Sequence, residues 1–474
     1  MMTKNKLVKI LAALAISTVT FQTHAMSIDW EGTYRFEWMQ IDRPTLGAPS
    51  GAKAYGLNYL SLSPKIIAAD GVNIISRFDV LPNADPTYQD DNYGQLFGEG
   101  SAFSLAGNNY GNNVNSQSRK SSNLKVQQLY LNINQEYGAF VVGRAPIEFG
   151  LGITHNAGNG AFDHFSDTRD LVAYKFIVDN FFVMPIFARV QNSIGNGQQI
   201  QDMIIHAQYE SKESGSLIGL MHQTRKASQA VNDAPLLSPT NSNASEYNVQ
   251  TISFILGRDW EAFGFKLEAG VNSGGIGQKT ATNEDVKSSG YGVAADLYFP
   301  KRDSKWNFGL KLGMATGDDP TSVNAYEGFQ FDRNYDVAMM LFNHRLGTRD
   351  FLTTNSIKDT TKDASNSLDD EAISNAMFVA PKATYAWNER LDLSNTLIYG
   401  QVMTNPVTAN ANFQKDLGFE WDIELAYRPT DRIQWVNQVG LLFPGKAFKN
   451  GDNATGNLES ATAIGFASKV AISF

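Results

Sequence analysis

Residues 417–428 read Leu-Gly-Phe-Glu-Trp-Asp-Ile-Glu-Leu-Ala-Tyr-Arg, and this stretch decides the fold class. Leu417, Phe419, Trp421, Ile423, Leu425 and Tyr427 share one parity, while Glu420, Asp422, Glu424 and Arg428 share the other. A chain with side chains alternating at period two places these sets on opposite faces of one β-strand, one apolar and aromatic, the other charged. The pattern recurs at the start of the chain, where Trp30, Tyr34, Phe36 and Trp38 oppose Asp29, Glu31, Thr33, Arg35 and Glu37. Further on, Tyr291 to Phe299 oppose Asp296, and Trp306 to Met314 oppose Asn307 and Lys311. The last run, Ile464 to Phe474, opposes Lys469. These strands run to about 10–15 residues, where soluble strands average 5 or 6. Their aromatics gather near the ends, as they do at two membrane interfaces. A soluble sandwich also alternates; strand length and aromatic placement favour a transmembrane barrel.

Composition agrees. The chain has 474 residues, 18% charged and 11% aromatic, with no Cys. Soluble domains average about 25% charged. The lack of Cys excludes a disulfide scaffold, Cys-ligated metal sites and thiol nucleophiles. Lys4, Lys6 and Lys9 precede an apolar run from Ile10 to Phe21 and a small-residue site ending at Ala25, which predicts an export signal over 1–25 and a barrel over 26–474. The competing reading, a spanning helix, needs about 20 apolar residues, more than this run supplies. Beyond it, Phe176 to Val190 is broken by Asp179, Asn180 and Arg189, so no helical span is expected. A net charge of −9 argues against nucleic acid as a partner.

Eighteen strands can be placed, the first at 27–40 and the last at 461–474; sixteen is the alternative count. Very short joints follow every even strand: Asp70-Gly71, Gln135 to Gly138, Asp179-Asn180, Lys212 to Gly215, Trp260 to Phe263, Pro300 to Lys305, Asn388 to Arg390 and Pro429 to Asp431. Long joints follow the odd ones, the longest at 82–122 and 317–373. Short periplasmic turns and long external loops are the signature of an outer-membrane barrel. Segments 54–68, 216–226 and 247–259 fit less well, with mixed parity or apolar residues on both faces. The first strand begins close to the expected cleavage site, leaving no room for a plug ahead of the barrel. A barrel of 16 to 18 strands is wide enough for an aqueous channel.

Tyr34-Arg35-Phe36 on the first strand, Gly143-Arg144 before a Gly-rich loop, Ala315-Thr316-Gly317-Asp318-Asp319-Pro320 at a strand top and Phe443-Pro444-Gly445 at a strand end carry a resemblance. With eighteen strands at this length, the chain resembles the alginate-export family of outer-membrane porins and is similar in architecture to OprD-type porins. The resemblance implies an outer-membrane channel for polar solutes such as oligo- or polysaccharides, with an Arg- and Lys-rich path for a polyuronate. It also implies a terminal Phe474 read as a sorting signal by the barrel-assembly machinery, and a surround of outer-membrane lipid and lipopolysaccharide.

With the polar parity taken as inward, the basic pore-lining candidates are Arg35, Arg77, Arg144, Lys175, Arg189, Arg225, Lys266, Lys311, Lys382, Arg428 and Lys469. The acidic ones are Asp29, Glu31, Glu37, Asp79, Glu210, Glu268, Asp296, Asp392, Glu420, Asp422 and Glu424. The tally is balanced, so selectivity depends on segregation: an acidic wall at Glu420, Asp422 and Glu424 with Asp29, Glu31 and Glu37 of the adjoining first strand, facing Arg144, Lys175 and Arg189. The alternative is that these charges pair and support the wall. No cofactor is expected. Each long external loop, 82–122 with Asp90-Asp91 and 317–373 with Asp359 to Glu371, is a candidate to fold inward as a constriction or to offer oxygen ligands to a divalent cation, though neither has EF-hand spacing. His155, Asp163, His164 and Asp167 cluster in one loop without a partner serine, so an enzyme is not expected. A hydrophobic-compound transporter and an adhesion or structural barrel are the other functional classes. An apolar lumen would mark the first and a failure to conduct the second.

Overall fold

A computed structural model describes residues 27–43, 46, 52–80, 124–192, 199–227, 244–280, 282–300, 304–319, 321–344, 346, 372–405, 413–449 and 461–474. The expected leader, the 82–122 loop and the Asp359 to Glu371 stretch lie outside these residues.

The first half of the chain forms β1 (Ser27–Ile41), β2 (Lys53–Ala69), β3 (Val72–Val80), β4 (Leu124–Gln135), β5 (Gly138–Pro146), β6 (Thr168–Val178), β7 (Phe181–Asn192), β8 (Gln199–Ser211), β9 (Ser216–Ala227) and β10 (Ala244–Asp259). The second half forms β11 (Gly264–Lys279), β12 (Asp285–Ser288), β13 (Tyr291–Phe299), β14 (Trp306–Ala315), β15 (Ala325–Tyr326), β16 (Ala376–Asn388), β17 (Leu391–Val402), β18 (Asp416–Thr430), β19 (Ile433–Pro444) and β20 (Ala463–Ser473), with one helical turn, α1 (Lys446–Lys449).

Eighteen of these strands pair antiparallel, each with its chain neighbour, and β1 pairs with β20, which closes the ring and leaves no sheet edge. Closure runs to the end of the chain: Phe474 exchanges both backbone hydrogen bonds with Gly32, at 2.9 and 3.0 Å. The other two strands are short. β12 and β15 pair in parallel above the wall, and Val286 and Tyr326 pack there with Val249 and Ile276.

The turns explain the tight end of the barrel. Asp70-Gly71 reverses the chain with Gly71 at φ 73°, a conformation that glycine adopts without a side-chain clash. At the equivalent turn between β6 and β7, Asp179 takes φ 51°, and Asp tolerates that region because its short polar side chain bonds locally.

Outward faces are apolar. Trp30, Trp260, Trp306, Phe308, Trp387 and Trp435 are exposed near the short turns, and Tyr291, Tyr399, Phe419, Phe443 and Phe466 towards the other rim. These are the two aromatic girdles of a membrane barrel, with Val172, Phe187, Ile205 and Ile252 exposed between them. The inward face is packed at the end of the long connections. Met39, Ile41, Tyr55 and Leu57 from β1 and β2 and Phe378, Ile398, Leu417 and Leu442 from β16–β19 bury against Phe329, Phe331, Tyr335, Met339, Met340, Leu341 and Phe342 from the β14–β16 connection.

Candidate functional site

Two connections fold into the barrel, and inward charged side chains hold them there. The 147–167 segment joins β5 to β6. Glu268 of β11, fully buried, accepts backbone N–H bonds from Leu151 (2.6 Å) and Ile153 (3.3 Å) and the hydroxyl of Thr154 (2.8 Å). Arg35 donates to the carbonyls of Asp163 (2.7 Å) and Ala161 (3.3 Å), and Arg77 to that of Gly158 (3.0 Å). Glu37 meets Arg35 at 2.8 Å, His164 at 2.7 Å and Lys469 at 3.7 Å. Arg77 also pairs with Asp79 at 2.9 Å and donates to the Tyr59 hydroxyl at 2.7 Å. On the far wall, Asp202 gathers Arg169, Gln223 and Arg225.

The 329–344 segment is the second inward fold. Glu420 accepts the backbone N–H groups of Met340 (2.8 Å) and Leu341 (2.6 Å), and Asp422 accepts that of Met339 (2.9 Å). A buried carboxylate is stable where charge-assisted donors surround it, and a loop apex presents such donors because its amides lack strand partners. The wall makes room with glycine. A Cβ at Gly440 would meet the Asp422 carboxylate at 2.9 Å, and one at Gly465 would meet the Met340 sulfur at 2.9 Å. The two inward folds also touch each other. The Asn334 side-chain oxygen accepts the N–H groups of His164 (3.1 Å) and Phe165 (3.0 Å), its amide donates to the Phe165 carbonyl (2.8 Å), and Asp332 N–H donates to the Ile153 carbonyl (2.9 Å). Together they occupy the inner wall at the end of the lumen that carries the long connections.

Three ionisable groups within these segments are displaced from their ordinary values, among them Tyr335, whose phenol is pushed up by burial and by Asp296 beside it. Burial pushes the His155 imidazole down to about 4, against the pull of Asp167, and its Nδ1 has no hydrogen-bond partner among the described residues. Burial, reinforced by Asp167 and Asp163, pushes the Asp332 carboxyl up. The loop cluster of His155, Asp163, His164 and Asp167 is thus used to seat the segment. His164 bonds Glu37, and Asp167 receives the Asn156 N–H at 3.3 Å.

The sequence-derived pore residues divide into three groups. Arg35, Arg77, Glu420 and Asp422 face inward and hold loops. Lys311, Lys382, Glu424 and Arg428 face inward along the rest of the wall: Lys382 pairs with Glu424 at 3.5 Å, Arg428 with Asp392 at 2.6 Å, and Lys311 lies 4.0 Å from Asp296 and donates to the Asp336 carbonyl. Lys175 faces inward over the Phe182 ring at 4.0 Å.

Arg144 and Arg189 form the third group and correct the expected basic side of the lumen. Arg144 lies in register with Leu129 and Asp170, and Asp170 with Arg189, on the outward parity that Val172 and Phe187 share. In this sector the inward positions are Ala145, Leu171, Ala173, Ile186, Ala188 and Ile204, which pack with Ile147 and Phe149 of the inward loop. The lumen face here is apolar because a loop covers it, so polarity no longer marks the inside.

The inward fold of the 317–373 connection is an open reading of the sequence; the part of it that folds in, and its seat on Glu420 and Asp422, went unread. Its signal is the run of small inward residues facing the loop: Gly400, Gly440, Gly465, Ala463 and Ala467.

Comparison with known proteins follows the same outline. The chain aligns structurally with OccK2 (OpdF) of Pseudomonas aeruginosa at 10% identity and a TM-score of 0.52, over 94% of this chain and 98% of that one. OccK9 (OpdG) of the same organism gives 11% identity and a TM-score of 0.52 over the same shares. OccK2 has also been solved in complex with glucuronate, a structure that aligns at 10% identity and a TM-score of 0.50, over 94% of this chain and 98% of that one. No curated protein sequence matches the chain. The family model for alginate export matches residues 73–461. Closed eighteen-strand architecture, porin-like neighbours and that match lead to one conclusion: the chain belongs to the alginate export family of outer-membrane, porin-like channel proteins.

Proposed function

We propose that the barrel conducts polar, saccharide-like solutes by passive diffusion, with a preference for anionic sugars, and that the 147–167 and 329–344 segments set its aperture. The observation that carries the preference is an asymmetry of exposure. Glu420 and Asp422 are 0% and 8% exposed beneath the loop, whereas the side chains of Lys311 and Lys382 stay 40% and 42% exposed. Glu420 and Asp422 are engaged by backbone amides, and Lys311 and Lys382 are more exposed than the carboxylates they approach, Asp296 at 27% and Glu424 at 25%, so at this level the balance of open charge is basic, and local charge governs selectivity more than the total. Asp29, Glu31 and Glu210, exposed at the turn end, make the periplasmic mouth acidic without changing the sign at the constriction.

Planar-bilayer conductance of the full chain under a salt gradient tests this, with glucuronate and an uncharged sugar as blocking probes. Anion preference, glucuronate block stronger than sugar block, and loss of both in Lys311→Ala/Lys382→Ala are expected. Cation preference would remove the acidic-sugar assignment. A folded, non-conducting barrel would remove transport and leave a surface role.

A further inference from the structure

Arg144 and Arg189 belong to a lateral row on the outside of the barrel. The pairing runs Leu129, Arg144, Asp170, Arg189, Gln201, Lys226 and Asn248, one residue from each of β4 to β10. The row lies near the strand ends that carry the long connections, which in this architecture is the external side. Adjacent strands are about 4.8 Å apart, so Arg189 stands about 10 Å from Arg144 on one side and from Lys226 on the other. Arg144 is held by a bidentate pair with Asp170, at 2.7 and 3.0 Å. Arg189 and Lys226 are exposed and make no ion pair or hydrogen bond among the described residues. Two residues further into the wall, the same face presents Val172, Phe187 and Met203, all exposed.

We propose that this row is a binding site for the phosphorylated sugar headgroup of lipopolysaccharide, with its acyl chains against Val172, Phe187 and Met203. Cations on the lipid face are costly at mid-membrane and cost little near the interface, and at the external interface the available counter-charge is phosphate on a lipid. Arginine matches phosphate with a fork of donors, and Lys226 adds a point charge two strands away. The apolar band directly below supplies what a free anion would not use. The register row thus places two cations without protein partners among the described residues at headgroup height over a surface suited to acyl chains.

The test uses the full-length barrel in detergent and measures binding of bisphosphorylated lipid A by native mass spectrometry and by its effect on the unfolding temperature. Arg189→Gln/Lys226→Gln is compared with wild type and with Arg258→Gln, which removes a cation beside Trp260 at the opposite rim. Loss of two charge-assisted contacts should weaken lipid A binding by about tenfold or more, with Arg258→Gln unchanged and the dephosphorylated lipid bound weakly by every variant. Undiminished binding by the double variant overturns the assignment. So does equal affinity for the dephosphorylated lipid, which would make the contact purely apolar, or displacement of lipid A by inorganic phosphate alone, which would make it a simple anion site. Heat-modifiable migration reports that each variant is folded, and Lys226→Gln by itself repeats the comparison if the double variant is not.

Discussion

Removing the Glu420 carboxylate should loosen the constriction by an amount that the geometry bounds. Glu420→Ala leaves the amides of Met340 and Leu341 without an acceptor in a buried site, losing bonds now 2.8 and 2.6 Å long. Each hydrogen bond to a charged group is worth about 1.5–3 kcal/mol, so the loss is about 3–6 kcal/mol. Against it stands the packing of Met340, Leu341 and Phe342, all at most 1% exposed; at about 1.5–3 kcal/mol each this holds the apex with about 5–9 kcal/mol. Packing therefore wins, and the loop stays seated most of the time in the single variant. Even the low end of the loss corresponds to openings about 100-fold more frequent, since about 1.4 kcal/mol is tenfold. Adding Phe342→Ala removes about 3–5 kcal/mol more, which leaves about 2–4 kcal/mol of packing and makes release more frequent again. Single-channel recording reads this directly. Brief, larger-conductance openings should be rare in wild type, frequent in Glu420→Ala, fewer in Glu420→Gln, which keeps one carbonyl acceptor, and most frequent in the double variant. If folded Glu420→Ala and the double variant both record as wild type, the 329–344 segment does not set the aperture and the reasoning fails.

Two further outcomes follow from the same contacts. Gly440→Val places a side chain against Asp422 and Glu420, where even a Cβ comes within 2.9 and 3.1 Å, so it should displace the apex and raise conductance while the barrel stays heat-modifiable; unchanged conductance would show that the loop accommodates the methyls. His155 is neutral when seated, at about 4, and takes a proton when released, near 6.5, so acidification from pH 6.5 to 4 favours release of the 147–167 segment by about 3 kcal/mol. Asp332, whose carboxyl is pushed up, opposes this: it is protonated when seated and ionised when released, so acidification favours seating. Protease sensitivity of the segment should rise with acid in Asp332→Asn and fall with acid in His155→Phe, and parallel curves for the two variants would refute both assignments.

The sequence by itself determined the barrel. Alternation is a local property with period two, each residue's face is decided by its neighbours in the chain, and the short turns interrupt the pattern at one end only, so eighteen strands and their order could be read directly. It also placed charge inward wherever the opposite face meets lipid, as at Arg35, Lys311, Lys382 and Glu424. The loop packing was decided by tertiary structure, because its contacts join residues far apart in the chain: His164 meets Glu37 across 127 positions, and Met340 meets Glu420 across 80. Those contacts turn Arg35, Glu37, Glu268 and Glu420 from lumen charges into loop anchors. They also make part of the lumen apolar, which places Arg144 and Arg189 outside. Polarity in the sequence marks what a residue can face; which surface is wet, greasy or covered by a loop is settled only when the chain closes on itself.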